Sequence, residues 1–239
     1  MQAMIFAAGL GTRLKDETAD KPKALVEVGG KPLLQHAIEK LTTEGATRIV
    51  VNVHHFAPQV IDFINSKKWD VPVLISDESE KLLETGGGLK FAQHLFSPNE
   101  PILIYNVDIL SNLNLQDVFA EHTQSKAIAT LVVRQRETQR YFKFDSELNL
   151  VGWINKKTGE TKISRPENFQ EATEMAFSGI HIVEPEIFDF MPEEDRFSIV
   201  QFYLELAKTK NIKGYFDNSD LWMDVGKPTQ LEEARRLFE

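Results

Sequence analysis

The sequence predicts an α/β fold built on a doubly wound, mostly parallel sheet, with a strand-rich insertion in its second half. Three observations lead there. Apolar runs of strand length alternate with helix-spaced apolar residues through the first half. A glycine-rich loop follows the first apolar run directly. Beyond about residue 126 the alternation gives way to successive strand-like segments with few helical stretches between them.

Residues 3–8 form an unbroken apolar run that stops at Gly9, as a buried parallel strand does. Residues 32–41 carry Leu33, Leu34, Ala37, Ile38 and Leu41 at helical spacing, and Gly45 suits the close of that helix. A second strand is expected at 49–53, a short helix at 58–64 and a third strand at 71–75. Residues 89–95 read as helix and 101–105 as a fourth strand. Such repetition feeds right-handed crossovers and gives a Rossmann-like sheet. In the second half, 127–133, 141–144 and 150–154 read as strands, and the polar stretch 156–170 as a loop or lid. Residues 175–183 read as a strand interrupted by Gly179. A helix at 199–207, a strand at 212–216 and a closing helix at 229–238 follow. There is no internal repeat, low-complexity tract or separating linker, so one domain is expected over residues 1–239.

The bulk composition narrows the function. The 239 residues are 42% hydrophobic and 26% charged, ordinary for a globular chain with a sizeable core. A net charge of -9 argues against general nucleic-acid binding, which needs clustered Lys and Arg. A small anionic ligand stays open, because a few local cations and backbone N–H groups suffice for one. The absence of cysteine excludes disulfides and thiolate metal sites. No apolar run approaches the roughly 20 residues of a membrane span, and no signal peptide is evident, so a cytoplasmic location is expected. Monomer and homodimer remain equally open.

The loop Gly9-Leu10-Gly11-Thr12-Arg13-Leu14 lies where open parallel sheets bind ligands, beyond the C-terminal end of a strand. Glycine there lets backbone N–H groups approach a phosphate. Leu14 stands where a dinucleotide fingerprint needs Gly or Ala, and no Gly-Lys-Ser/Thr follows, so two common phosphate loops are excluded. Arg13 and Lys21-Pro22-Lys23-Ala24-Leu25 bring cations to the same mouth, with Pro22 stiffening the approach to Lys23. Leu83-Glu84-Thr85-Gly86-Gly87-Gly88 carries three glycines, which are costly inside a helix and are expected at its N-terminal approach, or in a flexible turn. The strand at Ile102 ends in Asn106-Val107-Asp108, which turns a carboxylate toward the crevice. Asp224 recurs in Trp222-Met223-Asp224-Val225-Gly226. No zinc pattern is present, and His54-His55 is a poor ligand pair because neighbours on a strand face opposite ways.

Taken together, the segments Ala7 to Leu14, Lys21 to Leu25 and Gly29 to Leu34 resemble the opening of the sugar nucleotidyltransferases, or nucleoside-diphosphate-sugar pyrophosphorylases. Ala24 stands where Pro is commoner, and Val107 replaces the Gly of the family's Asn-Gly-Asp. The resemblance implies a GT-A-like nucleotidyltransferase fold that joins a nucleoside triphosphate to a sugar 1-phosphate and releases pyrophosphate. Residues 1–125 would mainly serve the nucleotide and 126–239 the sugar. It implies Arg13 and Lys23 as catalytic cations, and Ala8, Gly9, Gly11, Thr12, Gly86, Gly87 and Asn106 as nucleotide contacts. It also implies Mg²⁺ on Asp108 and Asp224. On the sugar side it implies Glu174, Gly179 and Lys156, with Lys157 the alternative to Lys156. Gly179 also reads as a plain bulge. The short stretch after Asp224 and the Glu-Thr-Gly-Gly-Gly segment look most like the short members that transfer UMP to N-acetylmuramate 1-phosphate in peptidoglycan recycling. Mannose 1-phosphate guanylyltransferases are the nearest competitor. Choline-phosphate cytidylyltransferases and a non-catalytic nucleotide-sugar sensor are more distant alternatives.

Overall fold

A computed structural model describes residues 1–238. The chain starts with β1 (Gln2–Phe6), then a glycine-rich loop and two turns of 3₁₀ helix, then the short hairpin β2 (Glu27–Val28) and β3 (Lys31–Pro32). Next come α1 (Leu33–Thr43), β4 (Arg48–Val53), α2 (Ala57–Asn65), β5 (Val73–Asp77) and α3 (Glu84–Phe91). β6 (Ile102–Asn106), β7 (Ile109–Ser111) and α4 (Leu115–Ser125) close the first half. The second half holds β8 (Ala129–Arg134), β9 (Arg140–Phe144), β10 (Leu150–Asn155), β11 (Thr161–Ile163), α5 (Pro166–Phe169) and β12 (Thr173–Val183). It ends with α6 (Ile199–Leu206), β13 (Ile212–Phe216), β14 (Trp222–Asp224) and α7 (Pro228–Leu237).

The central strands β6, β1, β4 and β5 run parallel, with Met4 flanked by Val50 and Ile104. β6, β1 and β4 are buried on both faces because helices cover both, whereas β5, at the sheet edge, is half-buried. One core packs α1, α2 and α7 against Ile5, Ile49 and Leu103; the other packs α3 and α6 against Met4, Val50 and Ile104. β12 runs antiparallel to β6, β8 and β9 and so joins the two halves in one mixed sheet. β9, β10 and β11 extend it as an antiparallel meander, which is the expected strand-rich insertion.

Three sequence expectations are corrected here. The 156–170 stretch is not a loop or lid: it supplies β11, which pairs with β10, and the short helix α5. Its polar composition fits an edge strand with one wet face. The three glycines lie in the first turn of α3, not before it. The segment α4, which no expected element covered, is a helix capped by the Asn114 side chain accepting from Gln116 N–H. Its buried stripe is thin, just Leu115, Val118 and His122, so its periodicity is faint in the sequence. Among the described residues, no helix is long and apolar enough to cross a membrane.

Candidate active site

The loop after β1 is held open by a polar residue inside an apolar strand. Asn52 Oδ1 accepts from the backbone N–H groups of Ala7 at 2.8 Å and Ala8 at 3.3 Å, and its Nδ2 donates to Glu78 Oε1 at 2.8 Å. Strand register cannot bind these amides, because β1 has ended, so a side chain takes them. Asn52 escaped the sequence reading; the lone amide in Ile-Val-Val-Asn-Val was its signal. Gly11 adopts φ 65°, and a Cβ there would stand 3.2 Å from both Lys23 and Thr18. Glycine therefore lets the loop close against the Lys23 turn.

Gly9, Gly11, Thr12, Arg13, Lys23, Asn106 and Asp108 line one cleft of about 380 Å³. Ala8 is buried just behind it. Lys23, itself buried, forms an ion pair with Asp108. Asp224 arrives from the far end of the chain through the β14–β7 ladder, where it pairs with Ile109, and Val225 N–H donates to the Asp108 carbonyl at 2.9 Å. Burial raises the Asp224 carboxyl above the usual carboxylate range, with the negative charge of Asp108 adding to it, while Lys23 and Arg13 pull it back. The Arg13 guanidinium lies against Gly226, where a Cβ would meet Nη2 at 2.7 Å. The cleft thus gathers two cations and two carboxylates beside a backbone loop at the C-terminal edge of the sheet.

The remaining expected residues fall in three further places. Gly179 sits at a register shift in β12 with φ 75°, and a Cβ would stand 2.8 Å from Asn106 Nδ2. It is a bulge and also a close approach, made to Asn106 at the mouth of the cleft. Lys156, just past the end of β10, pairs with Glu174 of β12 at 2.7 Å, while Lys157 N–H turns back to Asn155 Oδ1. Lys156, not Lys157, therefore meets Glu174, away from the loop. Gly86 and Gly87 donate their N–H groups to the Phe197 carbonyl at 2.9 and 3.2 Å. A Cβ on Gly87 would stand 1.9 Å from the Asp195 carbonyl oxygen. These glycines therefore admit a neighbouring segment of the protein, and the carbonyl satisfies orphan donors of the first helical turn. Val107, where Gly was expected, is buried in the core and has no positive φ.

Trp222 is a further residue the sequence did not assign. Its Nε1 donates to the Ser178 carbonyl at 3.0 Å, and the Arg136 guanidinium lies 4.5 Å from its ring centroid. That places a stacked cation beside Asp224.

Comparison with known proteins agrees with this geometry. A family model described as nucleotidyl transferase matches residues 2–239. An N-acetylmuramate alpha-1-phosphate uridylyltransferase from Caulobacter vibrioides is 34% identical over 99% of this chain and 97% of its own length. A mannose-1-phosphate guanyltransferase from Yarrowia lipolytica is 29% identical over the whole chain, which spans 64% of that protein. Among solved structures, HddC from Yersinia pseudotuberculosis superposes with a TM-score of 0.80 at 24% identity, covering 100% of this chain and 99% of that one. A putative glucose-1-phosphate thymidylyltransferase from Bacillus anthracis gives 0.80 at 18% identity, covering 100% and 95%. At such identities these two speak for the fold alone, whereas the family match and the Caulobacter relative cover the chain almost end to end: it belongs to the nucleotidyl transferase family, as a sugar-1-phosphate nucleotidylyltransferase.

Proposed function

We propose that the chain condenses UTP with N-acetylmuramate 1-phosphate, giving a UDP-sugar and pyrophosphate. The observation that carries this is the 34% identity to a uridylyltransferase of that sugar over nearly the whole of both chains; the mannose relatives share less and extend well beyond it. Such a substrate would belong to cytoplasmic recycling of cell-wall sugar.

The cleft suits the chemistry. An oxygen of the sugar phosphate attacks the α-phosphorus in line, a new P–O bond forms, and the bond to pyrophosphate breaks. The nucleophile is already an anion, so positioning and charge neutralisation are the work left to the protein. Gly9, Gly11 and Thr12 offer loop backbone to the phosphates, and Arg13 faces the leaving pyrophosphate. Lys23 neutralises charge near the α-phosphate. Asp108 and Asp224 are the residues that would hold a hard divalent cation: Asp224 is raised first by burial and then by the charge of Asp108, a cost that a cation would offset. Mg²⁺ held there would supply neutralisation of the phosphate charge. The nucleotide lies over residues 1–125 and the sugar over 126–239 of a single domain. A base read at Gly86 and Gly87 must compete with Phe197 for their N–H groups.

The test is pyrophosphate release with each of four nucleoside triphosphates against muramate, glucosamine, mannose, glucose and choline phosphates. Fastest release with UTP and N-acetylmuramate 1-phosphate is expected. A clear preference for GTP with mannose 1-phosphate would replace this reading with the guanylyltransferase one.

A further inference from the structure

A second cleft of about 460 Å³ lies between β9, β10 and the first turn of α6. We infer that it binds a carboxylate carried by the sugar, with Arg136, Arg140 and Lys162 as the recognising cations. The inference rests on the muramate reading above, since that sugar bears a lactyl ether with a free carboxylate and most hexose phosphates bear none.

Charge is the first argument. In a chain of net charge -9, this cleft is lined by three cations and one carboxylate, Glu160. Glu160 stands 3.6 Å from Lys162, too far for a good hydrogen bond, and Lys162 Nζ instead donates to Gln201 Oε1 at 2.5 Å. Arg140 has no ion-pair partner among the described residues. A neutral sugar face asks for carboxylates and amides that accept from hydroxyls; three cations ask for an anion.

Position is the second. Arg136 links the two clefts: it stacks on Trp222, two residues before Asp224, and donates Nη2 to the Phe177 carbonyl at 3.0 Å. Its Nε is buried with no partner, a donor left over for a ligand. Gly179 approaches Asn106, which lines the first cleft, and Phe177, two residues earlier on β12, lines the second with Arg140 and Lys162, so a sugar whose 1-phosphate met Asp108 and Asp224 would have this strand as its route between them. Trp153 and Phe177 supply apolar walls on the way.

The third is the alternative use of the same charges. If these cations served the 1-phosphate, they would act alike on every sugar phosphate. N-acetylmuramate 1-phosphate and N-acetylglucosamine 1-phosphate differ only in the carboxylate-bearing ether, so the pair separates the two roles. With UTP saturating, kcat/KM is measured for both sugars in the wild type and in Arg140→Gln, Lys162→Gln and Arg140→Lys. A charge-assisted contact predicts that the muramate-to-glucosamine ratio falls about tenfold in each Gln variant, through the KM for muramate, with partial recovery in Arg140→Lys. Equal losses on both sugars, or an unchanged ratio, would overturn the inference while leaving the muramate reading in place. Turnover of glucosamine but not muramate phosphate by the wild type would overturn both. Melting temperatures of the variants, expected within a few degrees of wild type at these exposed or half-buried positions, separate loss of recognition from loss of fold.

Discussion

Lys23 and Asp108 meet as an ion pair at the floor of the loop, and Asp224 is pressed against them by the β14–β7 ladder. Burial raises the Asp224 carboxyl, and the negative charge of Asp108 raises it further. Asp108→Asn therefore removes half of the candidate metal site while keeping the shape of the side chain. Pyrophosphate release is expected to fall by about 10²-fold or more, with melting unchanged. Near-normal turnover in that variant would sink the assignment of both carboxylates. Asn52 works differently, through the loop that it holds. Asn52→Ala strands the N–H groups of Ala7 and Ala8 and a carboxyl oxygen of Glu78. A loss of about 2 kcal/mol in denaturant unfolding is expected, together with a higher KM for the triphosphate; a rise in KM without loss of stability would mean that Asn52 binds substrate itself.

At the scale of elements, α3 and the segment leading into α6 are locked together. Phe197 accepts from Gly86 and Gly87, and Thr85 Oγ1 accepts from Ile199 N–H at 3.1 Å, which caps α6 with a residue from another helix. Glycine costs helix propensity at each of these positions, and close contact between the elements offsets that cost. Gly87→Ala would drive a methyl group into the Asp195 carbonyl. A destabilisation of about 2–3 kcal/mol is expected, read as a lower urea midpoint. A neutral or stabilising effect, as propensity alone predicts, would show that the 195–197 segment yields easily.

At the scale of the whole molecule, two histidines are buried: His181 in β12, the strand that joins the halves, and His122 in α4, against β8. Burial pushes His181 down to about 3 and His122 down to about 4; His181 bonds Tyr203 Oη through Nδ1 at 2.6 Å, and His122 bonds Thr130 through Nδ1 while the Glu184 carboxylate, 3.2 Å from its Nε2, works against the downward push. An unfolded histidine titrates near 6.5. Below that pH the unfolded chain binds protons that the folded chain refuses, so stability is intact above about 6.5 and falls as pH drops toward 4. Each histidine is expected to remove up to about 1 kcal/mol for every pH unit in that window. Thermal melting from pH 7 to 5 checks this, and a flat profile would contradict neutral burial of the pair.

How much of this was legible in the sequence differs from element to element. The buried strands were legible because four-sided burial leaves an apolar run, as at Ile102 to Tyr105. The glycine-rich loop, Lys23 and the two carboxylates were legible as glycine and charged residues at short spacing beside strand ends. Residues 109–125 were not, since β7 is short and α4 buries too thin a stripe to leave a period. Gly86 to Gly88 were legible as a place where backbone is approached closely, but not as to what approaches. The sequence by itself determined the fold class, the family and the charged groups of the cleft. Only the tertiary structure decided that Asp224 closes on Asp108, that Asn52 holds the loop, and that Arg136, Arg140 and Lys162 share a cleft. The physical reason is the same in each case: these contacts join residues distant in sequence through strand pairing and side-chain packing, and neither leaves a local pattern for the sequence to display.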